Sequence, residues 1–140
     1  MKQVDEIIYD AIKADTDLMT AIGGRVVSTC FEVPPDSDDN TPIPYIIITD
    51  DGSQNQPETK DAQWDGCEDH VQVSIEVSGE SPKQVRYIIN RCRKAVAAYV
   101  KNLSYTDRPQ LDALKRDGIY WDWTKPCYFD TLHYQCFIYN

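Results

Sequence analysis

The chain has 140 residues, room for one domain with a single hydrophobic core. With 23 acidic against 14 basic residues its net charge is −9, which excludes a protein that wraps nucleic acid with clustered Lys and Arg. An apolar content of 41% excludes disorder throughout.

Val4, Ile7, Ile8, Ala11 and Ile12 fall at helical spacing, with Asp5, Glu6, Asp10 and Lys13 on the other side. A second short helical turn is predicted over Leu18, Met19 and Ile22. Asp15 or Thr16 can cap it, and Gly23-Gly24 offers a left-handed stop. Residues 25–33 read as an edge strand, and 34–44 as a polar loop rich in proline and aspartate. Pro44-Tyr-Ile-Ile-Ile-Thr49 is a short β-branched run, as expected of a strand covered on both faces. Val71, Val73, Ile75 and Val77 alternate with Gln72, Ser74 and Glu76, so this strand buries one face only.

Between these two strands lies an acidic segment without apolar rhythm, residues 50–69, in which seven acidic residues meet a single Lys60. A compact domain seldom keeps so long a loop unless it binds something or orders on assembly. Trp64 sits inside it. Its ring either folds back on the domain or anchors in a partner. Asp65-Gly66 is a good hairpin dipeptide, so the segment can also extend as a β-hairpin arm.

Ser81-Pro82 then opens a helix running to about Val100, with Val85, Ile88, Ile89, Cys92, Val96 and Tyr99 as its apolar stripe. Six of the 14 basic residues lie on it: Lys83, Arg86, Arg91, Arg93, Lys94 and Lys101. An irregular stretch follows. Residues 119–124 and 128–139 then read as an aromatic hairpin joined around Lys125-Pro126. In its last strand Leu132, Tyr134, Cys136 and Ile138 make one face and His133, Gln135, Phe137 and Tyr139 the other. One face should meet the domain's own helices, the second either another helix or a neighbouring subunit.

No secretory signal is expected at the N-terminus, and Ala95 to Val100, the longest apolar run, is far short of the roughly 20 residues of a membrane span. Five cysteines, an odd number, fit reduced thiols in a cytosolic compartment. Cys67-x-x-His70 and His133-x-x-Cys136 have metal-like spacing, but on a strand residues three apart project to opposite faces. Asp36-x-Asp38-x-Asn40 starts like a calcium loop yet has Thr41 and Ile47 where Gly and Glu are needed. No nucleophile elbow or phosphate loop is present. The sharpest enzymatic reading is a Mg²⁺-dependent nuclease built on Asp50, Asp51, Glu68 and Asp69. It lacks the positive charge that phosphate substrates need, apart from Lys60. A small ligand-binding module has no pocket signature.

The order of elements carries a resemblance. Asp17-Leu18-x-x-x-Ile22-Gly23-x-Arg25-Val26 is followed by Pro42-Ile43-Pro44-Tyr45 entering an Ile-rich strand. After it come a long loop, the alternating strand Val71 to Val77 and the long helix Pro82 to Val100. This pattern resembles the tail completion, or tail terminator, proteins of long-tailed bacteriophages and prophages.

The resemblance implies a single α+β domain over residues 1–140. A mainly antiparallel sheet of four to five strands would pack against the long helix and the short N-terminal helices. It further implies a virion subunit, assembled in the bacterial cytoplasm, that forms a hexameric ring on the head-proximal end of the tail tube. That ring stops tube growth and meets the head connector. No catalytic residue and no cofactor come with it. DNA only passes through the lumen, past an acidic loop that includes Asp50, Asp51, Trp64, Asp65, Glu68 and Asp69. Apart from the resemblance, opposite charges would let the basic helix, through Arg86, Arg91 and Lys94, pair with the acidic loop of a neighbouring copy. A head-closure or neck protein of the adjacent layer is the alternative within the same class.

Overall fold

The computed structural model describes residues 3–28, 43–56, 68–104, 110–124 and 126–139. Helix α1 (Val4–Ala14) carries Asp5 and Glu6 in its first turn and Lys13 in its last, matching the helix dipole at both ends. Helix α2 (Thr16–Ala21) is capped by Asp15, whose Oδ1 accepts from the Leu18 N–H at 2.9 Å. It ends at Gly23 and Gly24, with φ of +61° and +75°, where the Gly24 N–H closes on the Met19 carbonyl at 2.9 Å.

The strands are β1 (Val26–Ser28), β2 (Tyr45–Gln56), β3 (Glu68–Gly79), β4 (Gln110–Arg116), β5 (Tyr120–Asp122) and β6 (Cys127–Tyr139), with helix α3 (Pro82–Lys101) between β3 and β4. They form one sheet in the order β1-β2-β3-β6-β4, and β5 pairs with β6 as well. Only β1 and β2 run parallel. The α+β class and the mainly antiparallel sheet of about five strands agree with expectation, and among the described residues a sixth strand joins it. The unexpected one is β4, inside the stretch read as irregular.

β4 and β5 line the same edge of β6 in succession, Arg116 opposite Leu132 and Tyr120 opposite Phe129. Between them the chain bulges out, and its backbone is held by Asp130. The buried Asp130 carboxylate accepts from the Gly118 N–H at 3.0 Å and lies 3.0 Å from Arg116 Nε. A buried charge needs such partners, because unpaired it would cost several kcal/mol.

Helices α1, α2 and α3 cover one face of the sheet. Ile46 and Ile48 of β2, Val73, Ile75 and Val77 of β3, and Leu132, Tyr134 and Cys136 of β6 point into this layer. They meet Val85, Ile88, Ile89, Cys92 and Val96 of α3, and Ile8 and Ile12 of α1. Burying each such Ile, Leu or Val stabilises the fold by about 1.5–3 kcal/mol. Burial also pushes the Cys92 thiol and the Tyr134 phenol up, and holds the Cys136 thiol near 11, so these groups stay neutral.

The opposite face has no helix among the described residues. Tyr45, Cys127 and Phe129 form a small buried cluster there, flanked by half-buried Ile43 and Ile47. The strand at Pro44–Thr49, expected to be covered on both faces, is therefore covered fully on one and in part on the other.

The β2–β3 ladder runs on past this core. After an irregularity at Asp50/Gly52 the strands stay paired to Gln56 opposite Glu68. Gly52 sits there at φ +109°, which an L side chain rarely adopts. Residues 50–56 and 68–69 are thus paired strand rather than open loop. The expectations for Trp64 and Asp65, and for the calcium-like Asp36 to Asn40, lie outside the described residues.

Candidate functional site

Two outer surfaces carry the residues with chemistry to offer. The first is the solvent side of α3. Ser81 caps the helix by accepting from the Gln84 N–H at 3.1 Å, with Pro82 in the first turn. The helix contains no Asp or Glu. Lys83, Arg86, Arg93 and Lys94 are exposed and make no ion pair among the described residues. Tyr87, 52% exposed, stands among them.

Arg91 has another place. Its Nε lies 3.1 Å from Asp15 Oδ2, and its Nη2 3.3 Å from Asp17 Oδ2. The Asp15 hydrogen bond holds its guanidinium further up than usual. Arg91 thus ties α3 to the cap of α2 in its own chain, whereas Arg86 and Lys94, expected beside it at a contact, remain open.

The second surface is the uncovered face of the sheet. Glu76 points outward between Ile47 and Thr131, its register neighbours. Burial, then the nearby Asp122, holds its carboxyl above the usual range. Tyr45 is pushed up to about 12 by burial and by Glu76. Tyr120, 52% exposed, stacks on Phe129 with centroids 5.8 Å apart, and its phenol is pushed up by its surroundings, Glu76 and Asp122 among them. Higher on this face Ser74 Oγ donates to Asp51 Oδ1 at 3.3 Å, and His133 Nε2 lies 2.9 Å from Asp117 Oδ1.

At the end of the β5–β6 hairpin Trp121 meets Trp123 and Tyr128 edge-on, at 5.5 and 4.8 Å. Trp123 is 83% exposed, and the buried Trp121 Nε1 has no hydrogen-bond partner among the described residues. Sequence reasoning found this hairpin but singled out neither Trp123, Tyr120 nor Glu76. Exposure of an aromatic in a β-rich tail leaves no periodic trace, and Glu76 reads as an ordinary outward residue.

The strand register separates the carboxylates of the nuclease reading. Asp50 is opposite Val73, whereas Asp69 is opposite Asn55 and Glu68 opposite Gln56. At roughly 3.3 Å per residue the two acidic pairs lie at least about 10 Å apart along the ladder, too far to share one ion. Among the described residues no three His, Cys, Asp or Glu come together as a metal site. His70 instead pairs with Gln135 at 3.0 Å, and Cys136 points inward while His133 points out. The cleft between α1 and α3, lined by Ala11, Ala14, Ala95, Ala98 and Tyr99, has a volume of about 210 Å³. That is below the roughly 300–1,000 Å³ of small-molecule pockets. Among the described residues no helix is long and apolar enough to cross a membrane.

No protein-family model matches the sequence, and no curated protein does. The fold is shared with solved structures. A chain of the virion of a native gene transfer agent particle superposes with a TM-score of 0.59 at 16% identity, covering 98% of this chain and 95% of that one. The bacteriophage SPP1 gp17 protein superposes with a TM-score of 0.59 at 18% identity, covering 96% and 88%.

Proposed function

We propose that this protein is a structural subunit of a phage-type particle, a tail completion or terminator protein that closes the head-proximal end of the tail tube as a ring. The observation that carries this reading is the end-to-end correspondence of fold with two phage-type chains, covering 98% and 96% of the present one. The surfaces support it. The solvent side of α3 is basic with no acid on the helix, and no described helix covers the second face of the sheet.

In this reading the partners are further copies of the chain, the tail tube protein and the head connector. Arg86 and Lys94 lie at the contact between copies, and Arg91 braces α3 from within. The acidic segment with Asp50, Asp51, Trp64, Asp65, Glu68 and Asp69 faces a partner or the lumen, where negative charge lets DNA pass without adhering. The protein works in the virion and acts without a cofactor.

The test is to add purified, gold-labelled protein to tail tubes assembled from the tube protein alone, and to image them. Label at a single tube end, with tube growth arrested, is the expected result. Label along the tube wall or on isolated connectors only would overturn the terminator role, the latter in favour of the neck layer.

A further inference from the structure

The two surfaces lie on opposite sides of the sheet, since α3 covers one face and no described helix covers the other, where Tyr45, Cys127 and Phe129 are buried and Tyr120 reaches the surface. They cannot meet within one chain. They are also opposite in character. The α3 side presents Lys83, Arg86, Arg93 and Lys94 around the exposed Tyr87, with no acid on the helix. The sheet side presents Glu76 and Asp122 beside Tyr120, Phe129 and Ile47.

We infer that this second face of the sheet is the seat for α3 of a second copy of this chain, with Arg86 and Lys94 received by Glu76 and Asp122, and Tyr87 laid against Tyr120. The occupant follows from charge and shape together. Glu76 lies half-buried and makes no ion pair among the described residues, so an incoming Arg or Lys gains a partner whose desolvation is already partly met. Tyr120, stacked on Phe129 and 52% exposed, offers a ring face to a guanidinium or to Tyr87. A contact between two different surfaces of identical chains is head-to-tail, so it propagates until the rotation closes. This inference rests on the ring reading and specifies which surfaces close the ring.

A charge exchange tests it by sedimentation in low salt. One variant reverses the helix, Arg86→Glu with Lys94→Glu. The other reverses the sheet, Glu76→Lys with Asp122→Lys, and circular dichroism checks that each is folded. Wild type is expected to associate with a strength that falls as salt rises. Each variant alone should associate about tenfold or more weakly, because like charges then face one another. An equimolar mixture should recover association, since the acidic helix of one variant meets the basic sheet of the other. If Glu76→Lys fails to fold, Glu76→Gln with Asp122→Asn takes its place, and weaker association than wild type is expected. Variants as tightly associated as wild type, or a mixture no tighter than its parts, overturn the assignment. A wild type that stays monomeric overturns it as a self-contact too. Tube capping by the same preparation then decides the ring reading independently.

Discussion

Two neighbouring residues, Ile75 and Glu76, show how differently the two faces of one sheet are used. Ile75 is fully buried under α3, within a layer where three helices close over nine buried strand residues. Glu76, one position on, stands on the face that no described helix covers, half-buried among Ile47, Thr131 and Tyr45. The first face is saturated with apolar contacts and holds the fold.

Truncation at the covered face should have the largest effect. Ile75→Ala removes a side chain from the centre of the core and leaves a cavity among Ile48, Leu132 and the α3 residues, so a loss of about 3–4 kcal/mol is expected. Urea unfolding followed by circular dichroism measures it, with the exposed Gln72→Ala on the other face as control, expected within about 0.5 kcal/mol of wild type. A comparable loss in both variants would mean that the two faces do not differ as drawn.

The next effect concerns how the helical layer is joined. Asp15 caps α2 through the Leu18 N–H and also holds Arg91 of α3. Asp15→Ala should lower stability by about 1 kcal/mol, the usual worth of an N-cap. A loss of association in this variant would place Arg91 and its neighbours at the contact between copies.

The covered face was legible in the sequence, because burial on one side imposes a period. Val71 to Val77 alternates, and the stripe from Val85 to Val96 repeats at helical spacing. The caps at Asp15 and Ser81 were legible for the same local reason, a short acceptor just before a helix. The open face was not. β4, with six of its seven residues exposed, has no apolar rhythm to betray it, and it is a strand only because β6 offers an unpaired edge. Asp50 to Gln56 has poor strand propensity, yet its backbone is claimed by β3. The candidate site lies mostly in such places. The basic helix was readable from composition. That Arg91 is matched within the chain while Arg86 is open depends on where α2 lies, which no local pattern encodes.

The smallest effect, and the most discriminating, is expected at Glu76. Its folded carboxyl binds a proton to higher pH than in the unfolded chain, where its ordinary value is 4.5. Between the two values the native state holds more protons, so this residue's contribution to stability falls as pH rises through that window. Below 4.5 the cost is absent, and above the folded value it is complete. Glu76→Gln should therefore stabilise the free subunit at neutral pH, by less than the effects above. Near pH 4 wild type and variant should converge, and unfolding curves for both across the range check the sign. For association the same substitution should act the other way. If a basic helix of a second copy seats on this face, removing the charge withdraws the partner of that helix, so Glu76→Gln weakens assembly while it strengthens the subunit. Effects of the same sign on both would make Glu76 a residue of the fold alone, and opposite signs tie its buried charge to the neighbour.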